Sequence, residues 1–577
     1  MPTTIDPIVL ELINSKVTSI VEEMRVVLFH SGYSTVLRES EDGNAGLLDA
    51  NLHTIAVPKK LPLHFGSFSA IAEHLPRFYK QEELEDGDVI LFNHPYAGNV
   101  THSSDTVTLM PVFSDGVVVA FTGTLAHKPD LGGPRGLVSP RDLWEEGLII
   151  PPVKFYARGQ PNREVENLIA ANSRLPVETL GDLRGQVAAC RVGANRIKEL
   201  CARFGVETVA AACDELTTRV AARLRNELKL LPDGSHEAEG VLDHDSINYD
   251  RPLKVHVVVH KKGDEILFDF SGSDGQAKGA VNVVPSLIKN TCYFGLMAMV
   301  DSNLPFNHGF VEVAQTRFRE GTIVCPSFGA PVSGYVPMAY LTSDVVLKAL
   351  GQFWLEKAVG SAGGGGAMRI LGTRSASRKP WMLMELLDTA LGATSNRDGV
   401  SLIHGTLGVG QFRPGPIEIH ETEFPVRVVR FDVRTDSGGP GKFRGGLGCV
   451  REYEALEEAI VPVRGGRGDL RSQVPPWGVF GGQPARVGSR FVNGTEVAQR
   501  TREVTLHPGD IFRIEMNAGG GYGDPLDRDP ELVLGDVLDG YVSLSGARED
   551  YGVVINRETH IIDTNATTSL RNQMRKK

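Results

Sequence analysis

The chain has 577 residues, including 64 glycines and 33 prolines; 41% of the residues are hydrophobic and 23% are charged. This much apolar material supports a buried core and excludes a disordered chain, and the lack of a Gly-X-Y period excludes collagen. The formal net charge of −11 comes without a basic stripe, which argues against nucleic-acid binding.

The sequence also lacks the marks of a secreted or membrane protein. Its six cysteines are scattered without a CxxC pair, and no apolar stretch approaches the roughly 20 residues that cross a bilayer. The N-terminal residues carry acids instead of the basic region of a signal peptide. We therefore expect a cytoplasmic protein with reduced thiols and no membrane association.

The predicted elements begin with a long helix. Asp6 is a good N-cap, Pro7 suits the first helical position, and apolar residues recur at helical spacing from Val9 to Leu28. Helices are also predicted between residues 172 and 230. Short strands are predicted at residues 46–49, 54–57, 88–92 and 117–121. The first part of the chain is therefore predicted to be α+β.

The loop Leu231-Pro232-Asp233-Gly234-Ser235 is the clearest predicted boundary. Beyond it, strands are predicted at residues 254–259 and 265–270 and a helix around residues 286–301, and glycine clusters alternate with short strands from about residue 420 to the end. The predicted fold is α+β with three regions. They are an N-terminal α+β region that carries the candidate site (1–230), a middle α+β region (231–420) and a glycine-rich, mostly β region (421–577).

Two His-x-x-Asp motifs carry the chemistry that the sequence suggests. His102-Ser103-Ser104-Asp105 is followed 25 residues later by His127-Lys128-Pro129-Asp130, with a predicted strand between them. If the motifs end neighbouring strands, two imidazoles and one or two carboxylates meet, and such a donor set suits Mn²⁺, Fe²⁺ or Zn²⁺. The alternative is a pair of loop histidines that hydrogen-bond to local carboxylates, and the spacing alone leaves both open.

Other candidate residues and motifs give weaker signals. Asp42 lies in an acidic, glycine-bearing turn, and His53 and His64 are assigned to structural roles by default. The signatures of phosphate-binding loops are missing, because Gly441-Lys442 lacks the rest of a Walker A motif. If the protein uses ATP, the nucleotide binds to an unusual loop or to a partner subunit.

Further motifs extend nearly from end to end of the chain. They are Arg-Glu-Ser-Glu-Asp at 38–42, Asn-His-Pro-Tyr at 93–96 with Thr-His-Ser-Ser-Asp at 101–105, the glycines that follow Asp130, and glycine-rich stretches at 436–448, 478–482 and 519–525. With these motifs the chain resembles the B-type subunits of the hydantoinase B/oxoprolinase family, which includes the α subunits of acetone carboxylases. The resemblance implies a large multi-part subunit of that kind.

The resemblance also implies a site and a partner. The family's metal ligands correspond to His102, Asp105 and His127, with Asp42 as the fourth, and the metal would be Mn, Zn or Fe. Mg-ATP would bind to a separate hydantoinase A-like subunit with an actin-like fold, so that the protein works in a hetero-oligomer. Asp130 and Glu146 are candidates to orient the ligand histidines, since metal-bound imidazoles usually donate their other N–H to a carboxylate.

Two residues depart from the family pattern near this site. Lys128 stands where the family commonly has a second histidine, and His94 stands where many members have aspartate. Both departures affect the expected choice of substrate, because Lys128 could hold a phosphate or carboxylate group.

Three functions remain open. The first is the metal-binding catalytic subunit of an ATP-dependent hydrolase that opens cyclic amides, such as hydantoins, 5-oxoproline or lactams, after the A-type subunit has phosphorylated the substrate. The second is a subunit of an ATP-dependent ketone carboxylase of the acetone or acetophenone type. The third is a non-catalytic scaffold, against which the intact His102, Asp105 and His127 argue.

Overall fold

The computed structural model describes residues 5–70, 74–133, 139–409, 411–463, 474–498 and 500–576. The chain forms two compact units. Unit 1 comprises Met1–Glu237, Val255–Tyr335 and Gly410–Gly415, and unit 2 comprises Ala238–Lys254, Val336–Val409 and Pro416–Lys577. Within the described ranges, no helix has the length and apolar character needed to span a bilayer.

Unit 1 mixes helices and strands, as the sequence predicts. Its helices are α1 (Pro7–His30), α2 (Thr35–Arg38), α3 (Arg163–Asn172), α4 (Pro176–Phe204), α5 (Val206–Lys229), α6 (Pro285–Met299) and α7 (His308–Val313). Its strands are β1 (Gly43–Asp49), β2 (Thr54–Ala56), β3 (Val89–Phe92), β4 (Asp105–Ser114), β5 (Val117–His127), β6 (Val153–Ala157), β7 (Gln160–Pro161), β10 (Glu265–Asp269) and β11 (Ala314–Arg317). The strands β8 (Gly234–Leu242) and β9 (Leu253–Lys262) belong partly to each unit.

The main sheet of unit 1 is antiparallel and has the strand order β2-β1-β5-β4-β3-β6-β7. A second sheet has the order β11-β10-β9-β8. Strands β4 and β5 form a hairpin whose turn contains Asp115 and Gly116, both with positive φ. This hairpin lies in the middle of the main sheet, so it is hydrogen-bonded on both sides.

Helices α1 and α4 pack on one face of the main sheet. The predicted N-cap of α1 is confirmed, because the Asp6 carboxylate accepts the N–H of Ile8 at 2.7 Å. Helix α4 is tied to the hairpin by Gln186, whose amide donates to the carbonyl of Thr106 at 2.9 Å and also bonds to Thr124. Since side chains alternate along a strand, Asp105 and His127 belong to the opposite face from Thr106 and Thr124.

The Phe68 ring packs on that opposite face of the sheet, against two glycines. Gly46 of β1 and Gly123 of β5 are direct cross-strand partners, and a Cβ at either position would lie within 3.0 Å of the Phe68 ring. The ring is fully buried. The two glycines therefore allow the segment around Phe68, which includes His64, to lie directly on the sheet.

We expect Gly46→Ala or Gly123→Ala to destabilise unit 1 by about 1–3 kcal/mol, because the added methyl group forces the Phe68 ring out of its place. The measurement is the free energy of unfolding in urea. Gly234→Ala is the matched control, since no described atom lies within 4 Å of its added Cβ. Equal stability of all three variants would contradict the packing described for Phe68.

Unit 2 contains most of the strands of the second half of the chain. Its helices are α8 (Val336–Leu350), α9 (Gly405–Gly408), α10 (Ile417–Glu423), α11 (Pro530–Leu538), α12 (Leu544–Glu549) and α13 (Thr564–Met574). Its strands are β12 (Gly366–Thr373), β13 (Pro380–Leu387), β14 (Thr389–Ala390), β15 (Ser401–Ile403), β16 (Val426–Val433), β17 (Cys449–Ala455), β18 (Ala459–Pro462), β19 (Ser489–Val492), β20 (Thr495–Glu496), β21 (Glu503–Leu506) and β22 (Ile511–Glu515).

Two sheets of unit 2, in the orders β13-β12-β18-β21 and β16-β17-β22-β19-β20, share one apolar core. A buried ion pair joins them, because Arg451 of β17 contacts Glu385 of β13 at 3.1 Å. The strands end at Glu515, and the chain finishes with α11, α12 and α13. The C-terminal region is therefore rich in strands only up to residue 515, and its last 50 or so residues carry the three helices, which the glycine clusters did not indicate.

His404 links the stability of unit 2 to pH. Burial lowers its pKa from 6.5 to about 4, so the imidazole is neutral in the folded chain and takes up a proton on unfolding. Stability is fully present above pH 6.5 and falls as the pH drops toward 4, by up to about 1.4 kcal/mol per pH unit. We expect the melting temperature to fall more steeply between pH 7 and pH 5 in the wild type than in His404→Gln. Parallel slopes would contradict this assignment.

Candidate metal centre

The register of the β4–β5 hairpin places the first two candidate ligands together. Asp105 begins β4 and His127 ends β5, and the two residues are direct cross-strand partners at the open end of the hairpin. His102 lies in the tight turn that leads into β4, where its carbonyl accepts the N–H of Asp105 at 3.1 Å. The predicted meeting of the two motifs at neighbouring strand ends is confirmed for these three residues.

The three side chains converge on one carboxylate oxygen. Asp105 Oδ1 lies 3.1 Å from His102 Nε2 and 3.1 Å from His127 Nδ1. All three residues are buried, and their ligating atoms lie within 4.8 Å of one another. Burial alone would raise the pKa of Asp105, but the two imidazoles hold it well below its usual range. The hydroxyl of Thr101 donates to the second oxygen, Oδ2, and so fixes the carboxylate plane.

Asp42 lies beside this group, just before the neighbouring strand β1. It immediately precedes β1, and its carbonyl accepts the N–H of His127 at 3.0 Å. The side chain is buried, and burial together with the charge of Asp105 raises its pKa well above the usual range, an effect that Lys128 opposes. Asp42 is not among the three residues whose ligating atoms lie within 4.8 Å of one another. Its role as a fourth ligand stays a prediction.

His64, whose sequence context predicts only a structural role, lies close enough to the group for the charges of Asp105 and His102 to act on it. Its side chain is fully buried, and neither ring nitrogen has a hydrogen-bond partner among the described residues. Burial lowers its pKa to about 4, and the charges of Asp105 and His102 also act on it. Only the fold brings His64 near Asp105 and His102, because no motif surrounds it in the sequence.

The hydantoinase B/oxoprolinase family matches residues 6–525 of the chain. The chain belongs to this family. The caprolactamase β subunit of Pseudomonas jessenii is 32% identical over 574 residues, which are 96% of this chain and 97% of that protein. The putative B-type subunit of a D-/L-hydantoinase from a Pseudomonas species is 31% identical, over 98% of both chains.

Two solved structures show the same fold. The crystal structure of the ATP-dependent caprolactamase from Pseudomonas jessenii matches with a TM-score of 0.91 and 30% identity, over 99% of this chain and all of that chain. A nucleotide-free acetone carboxylase matches with a TM-score of 0.89 and 20% identity, over 99% of this chain and 83% of that chain. At that identity the second match shows the fold alone. The predicted family and the predicted α+β fold are confirmed.

The two departures from the hydantoinase B pattern lie in different surroundings. Lys128 is fully buried, and its ammonium donates to the carbonyl of Ala126 at 3.2 Å. Burial lowers the pKa of Lys128 to about 8, and the charges of Asp182, Asp105 and Asp42 oppose this shift. The lysine thus adds a buried positive charge close to the acidic groups of the site.

His94 instead lines a cavity of about 570 Å³. Its Nδ1 accepts the N–H groups of Tyr96 and Ala97, both at 3.2 Å. These bonds leave the proton of the neutral imidazole on Nε2, and burial lowers the pKa of His94 so that the neutral form is favoured. A neutral N–H donor therefore occupies the position where many family members carry an acid.

The two residues predicted to orient the ligand histidines bond to other groups. The Asp130 carboxylate forms an ion pair with Arg174 and accepts the N–H of that residue. One oxygen of Glu146 accepts the N–H groups of Val332 and Ser333, at 2.5 and 2.6 Å. The orienting role of Asp130 and Glu146 remains a prediction.

The donor set fits a divalent transition metal. Two imidazole nitrogens and one carboxylate oxygen converge in a buried place, which is the ligand combination of catalytic Zn²⁺ and of related Mn²⁺ and Fe²⁺ sites. The Nε2 atom of His102 faces Asp105. The buried Nδ1 atom of the same ring has no hydrogen-bond partner among the described residues. These three residues would hold the metal.

We predict that the purified protein contains close to one equivalent of Zn, Mn or Fe, and that His102→Ala removes most of it because one of three converging ligands is lost. Elemental analysis by mass spectrometry measures this. His53→Ala is the matched control, since His53 pairs with Asp49 and stacks on His308, outside the group of three. A His102→Ala variant that is folded and retains its metal would refute the assignment.

Proposed function

We propose that the chain is the catalytic subunit of an ATP-dependent hydrolase that opens cyclic amides. It would act on a substrate that a separate hydantoinase A-like subunit has phosphorylated with Mg-ATP. The observation that carries the proposal is the buried group of His102, Asp105 and His127, which occurs in a chain that is similar to the caprolactamase β subunit over nearly its whole length. A partner is also suggested by these relatives, because each of them is one subunit of a larger enzyme.

The site has the properties that such a reaction needs. A metal held by this group would lower the pKa of water toward neutrality, which is the chemistry of hydrolytic metal sites. Asp105 stays ionised because the two imidazoles hold its pKa down, so it is available as a ligand across the neutral pH range. The burial of all three residues excludes bulk water and strengthens the electrostatic interactions of the site.

Lys128 favours an anionic substrate in this scheme. A buried ammonium close to Asp42 and Asp105 offsets their negative charge, so that a phosphorylated substrate meets less repulsion. Replacement of Lys128 by a neutral residue of similar length should therefore weaken the use of a phosphorylated substrate more than it weakens folding. The family's more common histidine at this position does not carry a permanent charge at neutral pH.

The test is turnover by the protein purified together with its A-type partner. We expect ATP-dependent ring opening of at least one of caprolactam, hydantoin and 5-oxoproline, with release of phosphate, and loss of that activity in His102→Ala. Acetone and acetophenone, each with and without bicarbonate, form the comparison set. Bicarbonate-dependent consumption of a ketone without ring-opening activity would refute the hydrolase and identify a carboxylase. A complex that binds the partner and turns over none of these compounds would favour a scaffold.

A further inference from the structure

Glu146 occupies a place that the backbone fixes closely. It ends a short 3₁₀ helix, Leu143–Glu146, which Asp142 caps by accepting the N–H groups of Trp144 and Glu145 at 3.0 Å. Gly147 follows with φ of +115°, a conformation that a residue with a Cβ rarely adopts. The backbone position of Glu146 is therefore fixed by the local chain path.

Two backbone N–H groups hold its carboxylate through the same oxygen. Oε1 accepts the two backbone N–H groups of Val332 and Ser333, whereas Oε2 is buried and has no hydrogen-bond partner among the described residues. An unpaired buried carboxylate oxygen costs free energy, so structures rarely keep one without a functional reason. Oε2 is thus available to a group that enters the site.

The surroundings of Glu146 connect it to the candidate metal centre. Ser103, the neighbour of His102, donates its hydroxyl to the carbonyl of Glu146 at 3.3 Å. Burial raises the pKa of Glu146 to about 7, while the two N–H groups, the charge of His102 and the hydroxyl of Ser333 oppose the rise. On its other side the charge of Glu146 acts on Tyr96 and contributes to a raised pKa there. Its proton affinity is therefore suited to both uptake and release near neutral pH.

The 570 Å³ cavity is lined by chain neighbours of Glu146 and of the His127 loop. Its lining includes Trp144 and Gly147, on either side of Glu146 in the chain, and Leu131, which follows the loop of His127 to Asp130. The loop after His127 and the segment around Glu146 therefore both form part of the wall of this cavity. Its volume is within the range of small-molecule sites.

We propose that Glu146 is the catalytic acid–base residue of this site. Its Oε2 takes a proton from the attacking water as the oxygen–carbon bond forms at the activated amide carbon. The same proton passes to the ring nitrogen as the carbon–nitrogen bond breaks, which leaves an acyl phosphate and returns Glu146 to its ionised form. A second water then hydrolyses the acyl phosphate to the carboxylate and inorganic phosphate. The inference rests on the proposed hydrolase function, and it differs from the predicted orienting role, in which Glu146 would act only through His102.

Glu146→Gln is the deciding variant, because glutamine keeps an oxygen for the two N–H groups but cannot carry the proton. We expect kcat of the complex with its partner, assayed on whichever cyclic amide the wild type opens, to fall by roughly 100-fold or more with the metal content unchanged. Glu145→Gln is the matched control, since Glu145 is the preceding residue in the same helix and is exposed. Full activity of Glu146→Gln would overturn the proposal.

A second measurement separates this role from a positioning role and from failure of the proposed function. If Glu146 only orients His102, Glu146→Gln lowers metal affinity by about 10–100-fold and regains activity at saturating metal, which would overturn the proposal. Infrared difference spectra of the metal-loaded chain alone need no substrate. We expect a protonated carboxyl band that remains in Glu145→Gln and is lost in Glu146→Gln. Absence of that band would overturn the inference whatever reaction the complex catalyses.

Discussion

The pairing of β4 with β5 is the constraint on which the candidate site depends. It sets Asp105 opposite His127, and a shift of one residue would turn one of the two side chains toward α4. Gln186 opposes such a shift, since its amide reaches both Thr106 on β4 and Thr124 on β5 from the other face. The Gln186 contacts on the helix-facing side therefore hold the strand register that places Asp105 and His127 together on the other side. The tight turn through Ser103 then brings His102 to the same point without a third strand.

Charge is the second constraint, because the site buries the carboxyl groups of Asp42 and Asp105 close to each other. Asp105 is ionised by its two imidazoles, and its charge raises the pKa of Asp42. Lys128 offsets part of this repulsion, although the burial of its ammonium lowers its own pKa. A divalent ion would relieve the same repulsion more strongly, since its charge would lie at the point where the ligating atoms meet. The buried acids and the lysine thus fit a centre whose charge balance includes a metal.

Much of this could be predicted from the sequence, and the exceptions share a physical cause. The helix from Pro7 and the strands around residues 46, 90 and 120 follow local signals, namely a cap, a helical period and short β-branched runs. The meeting of His102, Asp105 and His127 follows from two motifs on one hairpin. His64 could not be found in this way, because its segment reaches the sheet only through the packing of Phe68 on two glycines. The helices after residue 515 were not predicted, because the glycine motifs before them indicated turns and short strands.

Those glycine-rich stretches are needed for close backbone packing in unit 2 and not for the candidate site. The stretches at 436–448, 478–482 and 519–523 hydrogen-bond to one another, as in the bond from Gly439 N–H to the Gly519 carbonyl at 2.8 Å. A Cβ on Gly445 would lie 1.8 Å from that same carbonyl, so the backbones touch where no side chain fits. Most of these residues need glycine for close approach and not for positive φ. The most conspicuous sequence motifs therefore specify the folding of unit 2, whereas the candidate chemistry depends on two short His-x-x-Asp motifs in unit 1, whose meaning appears only once the hairpin is paired.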